Sequence, residues 1–364
     1  MKKLLNIIFL FSLNLFAQSK FYVDGDTLKA KDENWKINPK TIRGLDDPNV
    51  LYVSSSTPAD GVNRFNTITS AISVWSDGKI ILLAPETFNE DIILTTNNIV
   101  ISGTNKVGSK VRSVRFEGKN QQIENLTITD SLLSMVSTTQ DIYQNEVKNC
   151  NIESNIYIGK KDTINTYRTN FIRCFFDPFD KKFIVNTTHM YIDYCNMITW
   201  WYGDESVADT TYSIEMYRGS IWGHECSNMH FNSIEYYDTA FALIRFDRTT
   251  IGVDTLIFPT TTNYYQVFGV ADGRLTGGSN GWLIQGKCEF DLFKTEFVLR
   301  ANLVFNSTAS SRFTYTTQVG YGSTATISGT GLSNLYMQHC TFHCEAPSGL
   351  GENLLNNWNS FIDE

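Results

Sequence analysis

Charged residues recur at intervals of 24, 20 and 25 residues in the middle of the chain, at Glu124, Lys148, Arg168 and Asp193. If one structural repeat has about that length, their side chains stack as a column on the surface. A lyase reaction on an acidic sugar needs a cation to neutralise the sugar carboxylate and a base to remove the adjacent proton. We therefore predict Lys148 or Arg168 as the base. Glu124 and Asp193 would serve as acid groups or as ligands of calcium. A ladder of exposed ion pairs, worth little per pair, is the competing interpretation.

The segment ITWWYGDE (198–205) combines aromatic rings with acidic side chains. An aromatic face packs against the apolar side of a pyranose ring, so we predict Trp200, Trp201 and Tyr202 as a stacking platform for sugar. Asp204 lies beside them and could accept hydrogen bonds from sugar hydroxyls. Packing of the rings beneath a loop or at a subunit contact explains the same residues equally well.

A six-residue pattern recurs along the chain and would position these side chains. IENLTI (123–128) and VKNCNI (147–152) share an asparagine at place three and apolar or near-apolar side chains at places one, four and six. Segments that fit to varying degrees begin about every 24 residues, at Ile99, Ile123, Val147, Tyr167, Ile192, Met216, Phe241, Tyr265, Lys287, Ser310 and Met337. A constant interval of this length is typical of a solenoid.

The spacing within the pattern indicates how each repeat folds. Places four and six have the same parity and point to one side of a strand, whereas place one has the opposite parity. A bend at place three resolves this conflict, and asparagine tolerates the left-handed backbone that such a bend needs. A strand, a bend and a second strand describe one rung of a parallel β-helix, in which stacked rungs bury a continuous core. We predict an all-β fold of this kind, with about 24 residues per rung.

The same register assigns the cysteines. It places Cys150, Asn170 and Cys195 at place four, inside the solenoid. Adjacent rungs lie ~4.8 Å apart, so Cys150 and Cys195 are separated by about two rungs and are too distant for a disulfide. We expect most of the seven cysteines to be buried as small hydrophobic side chains.

Segments outside the repeat would cover the ends of the solenoid. FNTITSAISVWSDG (65–78) has Ile68, Ile72 and Trp75 on one helical face, and we predict an N-terminal capping helix there. The predicted organisation is a signal peptide at 1–17, an N-terminal arm or capping segment at 18–50, the β-helix at 51–345 and a C-terminal cap or tail at 346–364.

Composition and the N-terminus limit the class of protein. The chain has 364 residues with 19% charged residues and a net charge of −8, which argues against a nucleic-acid binder. MKKLLNIIFLFSLNLFAQ has the positive start and short apolar stretch of a secretory signal peptide, and no later stretch is long enough to span a membrane. We expect a protein that is secreted, periplasmic or held at the cell surface.

The stretch FNTITSAISVWSDGKIILLAPETFNEDIILTTNNIVISG (65–103) resembles the opening of pectin-lyase-like right-handed β-helix proteins. The resemblance implies a capping helix, a strand ending near "AP", a turn at Phe88–Glu90 and right-handed coils. Lyases of this superfamily use lysine or arginine as the base, which supports the prediction for Lys148 and Arg168. The superfamily also contains polygalacturonases, pectin esterases, phage tailspikes and adhesins, so it indicates a fold more than a function. The signatures of the characterised enzyme subfamilies are missing from this sequence.

Two functions remain open at this point. The first is a secreted protein that acts on or binds extracellular polysaccharide, an acidic one if it is a lyase, with calcium as the only cofactor considered. The second is a non-enzymatic structural or attachment protein, such as a phage-type spike or a surface adhesin. Polysaccharide is the expected partner in the first, and the oligomeric state, monomer or trimer, is undecided.

Overall fold

A computed structural model describes the chain in stretches, which are 21–24, 27–30, 47–134, 144–159, 168–176, 181–197, 212–227, 229–237, 240–260, 263–277, 282–299, 303–320 and 327–343. The chain divides into two units, Met1–Pro48 and Asn49–Glu364. In the first unit, β1 (Phe21–Asp24) pairs antiparallel with β2 (Thr27–Ala30). The predicted signal peptide lies outside the described residues.

The second unit is a parallel β-helix. Its strands in chain order are β3 (Val50–Val53), β4 (Arg64–Phe65), β5 (Ile80–Leu83), β6 (Thr87–Leu94), β7 (Val100–Gly103), β8 (Lys110–Phe116), β9 (Gln122–Glu124), β10 (Thr127–Ser134), β11 (Asn145–Lys148), β12 (Asn151–Ile152), β13 (Asn155–Ile158), β14 (Thr169–Ile172), β15 (Phe175–Phe176), β16 (Lys182–Asp193), β17 (Asn196–Met197), β18 (Tyr212–His224), β19 (Met229–Tyr236), β20 (Ala242–Asp247), β21 (Thr250–Ile257), β22 (Gln266–Ala271), β23 (Arg274–Gly277), β24 (Trp282–Gly286), β25 (Cys288–Phe293), β26 (Glu296–Leu299), β27 (Leu303–Ser307), β28 (Ser311–Thr314), β29 (Thr317–Gly320), β30 (Ile327–Ser328), β31 (Leu335–Gln338) and β32 (Thr341–His343).

These strands form three parallel sheets. The first sheet, which carries the candidate site, consists of β3, β5, β7, β9, β11, β14, the ends of β16 and β18, β20, β22, β25, β28 and β31. The second sheet includes β12, β15, β17, β23, β26, β29 and β32, and the third includes β13, β24, β27 and β30. Long strands such as β16 and β18 continue from the third sheet into the first.

A short helix, α1 (Ile68–Ser73), lies within the stretch where a helix is predicted. Thr67 caps its N-terminus, because the Thr67 side chain accepts a hydrogen bond from the Ser70 N–H. Ile68 and Ala71 are buried in the core, and the helix ends at Ser73. A capping role for α1 stays a prediction. No helix in the described part of the chain is long and apolar enough to cross a membrane.

The inside of the solenoid is filled by inward-facing side chains of all three sheets. Ile123, Val147, Phe171 and Ile192 follow one another along the first sheet, and each is almost fully buried. Aromatic rings fill later rungs; the Phe290 ring, for example, contacts several neighbouring rings. This continuous apolar burial is the main stabilising contribution in such a fold.

A left-handed residue follows each strand of the first sheet from β9 onward. Positive φ angles occur at Asn125, Asn149, Arg173, Tyr194, Glu225, Arg248, Asp272, Lys294, Tyr315 and His339. From Asn125 to Tyr315, the backbone N–H of each of these residues donates to a carbonyl of the next rung, as when Asn149 N–H donates to the Ile172 carbonyl over 2.8 Å. The predicted bend at place three is therefore confirmed, although asparagine occupies only its first two positions.

Cysteine and threonine side chains form a column at place four inside the solenoid. Its hydrogen-bonding members are Cys150, Cys174, Cys195, Cys226, Thr249, Thr295, Thr316 and Cys340. Most of these thiols and hydroxyls donate to a carbonyl of the preceding rung, such as Cys174 Sγ to the Val147 carbonyl at 3.2 Å. The six cysteines of the described stretches are free thiols. Cys150 and Cys195 are two rungs apart as predicted, but Cys174, not Asn170, lies between them.

Several predicted repeat frames are shifted along the chain. Phe171, not Tyr167, lies opposite Val147, and Phe246 and Val270 take the places predicted for Phe241 and Tyr265. The physical reason is uneven loop length, because 24 residues separate Asn125 from Asn149 whereas 31 separate His189 from its neighbour Ser220. A single interval therefore cannot fix the register of every rung.

Candidate functional site

The outer face of the first sheet presents two columns of side chains that line a groove. The middle column reads Gln122, Glu146, Asn170, Tyr191, Trp222, Arg245, Gly269, Asp291 and Arg312. The turn-side column reads Glu124, Lys148, Ile172, Asp193, His224, Asp247, Ala271, Phe293 and Thr314. Three cavities lie along this face.

Three of the four charged residues predicted to stack do share the turn-side column. Glu124 lies opposite Lys148, but Ile172 lies between Lys148 and Asp193. Arg168 precedes β14 and is four residues out of the predicted register, so its place in the column is a wrong prediction that follows from the shifted frame. Lys148 is held by Glu146, with 2.5 Å between Nζ and Oε2.

Arg168 lies beside the groove instead. It helps line a cavity of about 410 Å³ together with Gln122, Glu146 and Asn170. Its Nε donates to Asn170 Oδ1 over 3.2 Å, and its guanidinium carbon lies 4.8 Å from the centre of the Tyr191 ring. The cation is thus stacked on an aromatic ring at one end of the groove.

The two carboxylates predicted as metal ligands are far apart. Glu124 and Asp193 are separated by three pairing steps, about 14 Å at ~4.8 Å per rung, whereas calcium binds oxygens at about 2.4 Å. They cannot hold one ion together. Among the residues that the structure describes, no three His, Cys, Asp or Glu side chains gather as a metal site. Trp200, Trp201, Tyr202 and Asp204 lie outside the described residues.

A second cavity of about 450 Å³ joins the two columns in the middle of the groove. Tyr191, Trp222 and Arg245 line it from the middle column. His224 lies between Asp193 and Asp247 in the turn-side column, and its Nε2 is 3.9 Å from Asp247 Oδ2.

Electrostatics differ among these groups. Burial raises the pKa of Asp193, and the charges of His224 and Arg168 partly offset that rise. His224 also contacts the guanidinium of Arg248, which forms a 2.6 Å ion pair with Glu225 at the turn. The middle of the groove therefore combines an imidazole with carboxylates, groups that could accept or donate a proton.

A hydrogen-bond chain orients the indole of Trp222. Trp222 Nε1 donates to Ser220 Oγ over 3.0 Å, and the same oxygen lies 2.8 Å from His189 Nδ1. Ser220 is buried, so this chain of hydrogen bonds fixes the orientation of the indole. Trp222 is thereby held in the wall of the groove beside Arg245.

The groove has a notch at β22, defined here by Gly269 and Ala271. These are the smallest outward side chains of their two columns and lie between larger ones on β20 and β25. A Cβ at Gly269 would meet nothing closer than 3.4 Å, so the space above it is open. A cavity of about 600 Å³ extends over Gly269, with Arg245, Asp291 and Phe293 among its walls.

Charged side chains face the notch from both sides. Arg245 and Arg312 line the 600 Å³ cavity, and neither guanidinium forms a salt bridge with any residue in the described ranges. Asp291 Oδ1 accepts a hydrogen bond from the backbone N–H of Arg312 over 2.9 Å. Burial raises the pKa of Asp291 to about 7, and a hydrogen bond with Glu289 and the Glu289 charge add to the rise.

Sequence reasoning missed the residues of the notch. Arg245, Asp291 and Phe293 carry no motif, and they become neighbours only when β20, β22 and β25 are correctly aligned. The available signal was VFGVADG (267–273), a strand whose outward positions carry unusually small residues.

Comparisons with known proteins give a structural likeness but no sequence match. No family model matches the chain, and no curated protein matches it significantly. A mannuronic-acid-specific polysaccharide family 6 lyase from the human gut microbiota is similar in structure, with 10% sequence identity and a TM-score of 0.36. The likeness covers 78% of this chain and 89% of that one.

Proposed function

We propose that the protein binds an acidic polysaccharide along the groove and cleaves it by β-elimination. The observation that carries the proposal is the notch over Gly269, an open space flanked by Arg245 and Arg312, two cations without salt bridges in the described part of the chain. A guanidinium that lacks an internal partner is suited to an anionic ligand, because its planar donors match a carboxylate.

The walls of the groove suit sugar rings. Phe293, which is 38% exposed, and Trp222 offer aromatic surface on either side of the notch. Aromatic faces pack against the apolar side of a pyranose, while carboxylates such as Asp247 accept hydroxyl hydrogen bonds. A polymer lying along the solenoid axis would contact successive rungs.

β-Elimination requires removal of the proton next to the sugar carboxylate, and the groove offers several groups for this step. Our candidates are the predicted residues Arg168 and Lys148, to which the structure adds His224. Arg168 lies in the groove wall, whereas the ammonium of Lys148 is already engaged by Glu146. A cation on the carboxylate lowers the barrier by stabilising the charge that develops there.

The test is ultraviolet absorbance of the purified protein mixed with a panel of polyuronides, with added calcium and with a chelator. Elimination creates a conjugated double bond, so absorbance rises with the correct substrate. A parallel assay for new reducing ends detects hydrolysis. Absorbance that stays flat with every polymer contradicts β-elimination. Tight binding without either signal would support the attachment function instead.

Export is part of the proposal, because a polysaccharide of this kind is extracellular. The support is the signal-peptide pattern of residues 1–17. Expression of the full chain in a bacterial host, followed by mass measurement, tests it. We expect a mature protein shortened at the N-terminus outside the cytoplasm, and an uncleaved cytoplasmic chain would contradict export.

A further inference from the structure

The notch places an acid and a cation on opposite sides of an empty position. Arg245 and Asp291 occupy the middle column two rungs apart, about 10 Å between backbones at ~4.8 Å per rung. Gly269 lies between them and contributes no side chain. The three atoms nearest to a Cβ at Gly269 belong to these two neighbours: the carbonyl oxygen and Cβ of Asp291 and Cγ of Arg245. The gap is therefore flanked by Asp291 on one side and Arg245 on the other.

We propose that the floor of the notch is a carboxylate-binding subsite, in which a sugar carboxylate lies between the guanidinium of Arg245 and the side chain of Asp291. Arg245 is available because it has no salt bridge in the described stretches. A guanidinium can hold one carboxylate through two parallel hydrogen bonds. While Asp291 is neutral, it adds no negative charge that would repel the ligand carboxylate. This subsite rests on the proposed function of the groove.

The neighbours of Asp291 explain why it can hold a proton near neutral pH. Glu289 lies two residues away on β25, so both side chains face the same side of the sheet, and the two are hydrogen-bonded. Carboxyl groups this close share a proton, because two negative charges repel in a partly buried site. Burial is the largest cause of the raised pKa of Asp291, which is about 7.

The strands on either side of Asp291 present few charged side chains to it. The adjacent strand β22 presents only Val267, Gly269 and Ala271 outward, and β28 presents Arg312. The charged groups that face the notch from neighbouring elements are Arg245 and Asp247 on β20, Asp272 and Lys294 at the turns, and Arg312 on β28. Asp272 and Lys294 face each other, with 3.9 Å between Oδ1 and Nζ.

The consequence is a pH-dependent affinity for acidic sugars. Below about pH 7 Asp291 is neutral and leaves the ligand carboxylate to Arg245, whereas above it the Asp291 charge repels that carboxylate. We expect affinity for a uronic-acid oligosaccharide to fall about tenfold when the pH is raised through this range. Affinity for the methyl ester of the same oligosaccharide should be lower and should change little with pH.

Isothermal titration calorimetry tests the subsite. The full mature chain is titrated with oligogalacturonate and oligomannuronate, and with their methyl esters, about one and a half pH units below and above pH 7. Asp291→Asn carries no charge at any pH, so we expect it to keep the low-pH affinity throughout. Arg245→Gln should lose the preference for acid over ester at both values. Asp77→Asn, at an exposed position in the turn after α1, is the matched control. Circular dichroism checks that each variant folds.

The outcomes separate the subsite from the groove. If the wild-type protein binds acid and ester equally well, the carboxylate subsite is wrong while the groove still binds polysaccharide. If Asp291→Asn keeps the wild-type pH dependence, Asp291 is not the responsive group and the proposal fails. If no oligosaccharide binds in either form at either pH, the proposed function itself is contradicted, and the subsite with it.

Discussion

The side chain of Asn149 donates from Nδ2 to Oδ1 of Asn125, one rung away, over 2.7 Å. Both residues have left-handed backbones, with φ of 47° and 56°. Their backbones are also linked to the following rungs by the N–H groups of the turn. The repeated asparagine of the sequence pattern is thus the first part of a hydrogen-bonded column of turns.

Asn149→Val should destabilise the protein by about 2 kcal/mol. A β-branched residue in the left-handed region costs about 1–2 kcal/mol, and the side-chain hydrogen bond to Asn125 is lost as well. Asn149→Gly loses the same hydrogen bond without backbone strain, so its loss should be smaller. Urea unfolding measures both free energies. Equal losses in the two variants would show that the left-handed backbone does not matter here.

Gly269→Trp should abolish polysaccharide binding without unfolding the chain. The introduced side chain would occupy the open space above Gly269, where the nearest atom to a Cβ is 3.4 Å away. We expect at least a tenfold loss of affinity, equivalent to about 1.4 kcal/mol. Val107→Trp adds the same ring at a position that is 64% exposed and outside the groove. Wild-type affinity in Gly269→Trp would place the binding site elsewhere.

Removal of the true base should lower the elimination rate by about 10²- to 10⁴-fold. We expect Arg168→Ala and His224→Gln to reduce the rate substantially, because both side chains line the groove. Lys148→Ala should have the smallest effect, since Lys148 is held by Glu146. Initial rates of absorbance change compare the three variants. Full activity in Arg168→Ala would eliminate that residue as base.

The fold should lose stability as the pH rises from about 4 to about 7, and Asp291 should account for part of the loss. Its pKa is about 7 in the folded chain and about 4 when unfolded, so the folded state binds the proton more tightly. The contribution of Asp291 to the free energy of unfolding is complete below about pH 4 and decreases as the pH rises towards 7. It remains lost at higher pH.

Thermal unfolding at several pH values measures this effect. The midpoint of the wild-type protein should fall between about pH 5 and pH 8. Asp291→Asn should fall less, because the amide does not titrate. Exposed Asp77→Asn should behave like the wild type. An identical pH slope in all three proteins would mean that Asp291 does not titrate in this range.

The fold could be predicted because its signals are local and repeated. Alternating burial, a turn that tolerates a left-handed backbone and cysteines at an inward place all lie within six residues of one another. Asn125 and Asn149 made the turn visible in the sequence, and Cys150 marked the inner column. Where Arg173 takes the place of asparagine at the turn, the pattern missed the rung, whereas the next rung, with Tyr194 at the turn, was placed correctly.

The groove could not be predicted, because it depends on register between distant segments. The predicted register was wrong by four residues at Arg168. The prediction therefore placed Arg168 at the position in the turn-side column that Ile172 occupies. Arg245 and Asp291 belong to one site only because β22 lies between their strands. Loop lengths decide that alignment, and nothing in the sequence of the strands encodes them.

The groove that contains the notch at β22 is a one-dimensional lattice of side-chain positions, because its rungs repeat. Every rung of the first sheet repeats the same backbone at ~4.8 Å intervals, so a side chain's position on the groove is given by its rung and its column. Inward and outward residues alternate, so exchanging the outward residues of two neighbouring rungs leaves the core unchanged. Moving Gly269 and Ala271 to an adjacent rung would therefore translate the binding position along the axis by one lattice step.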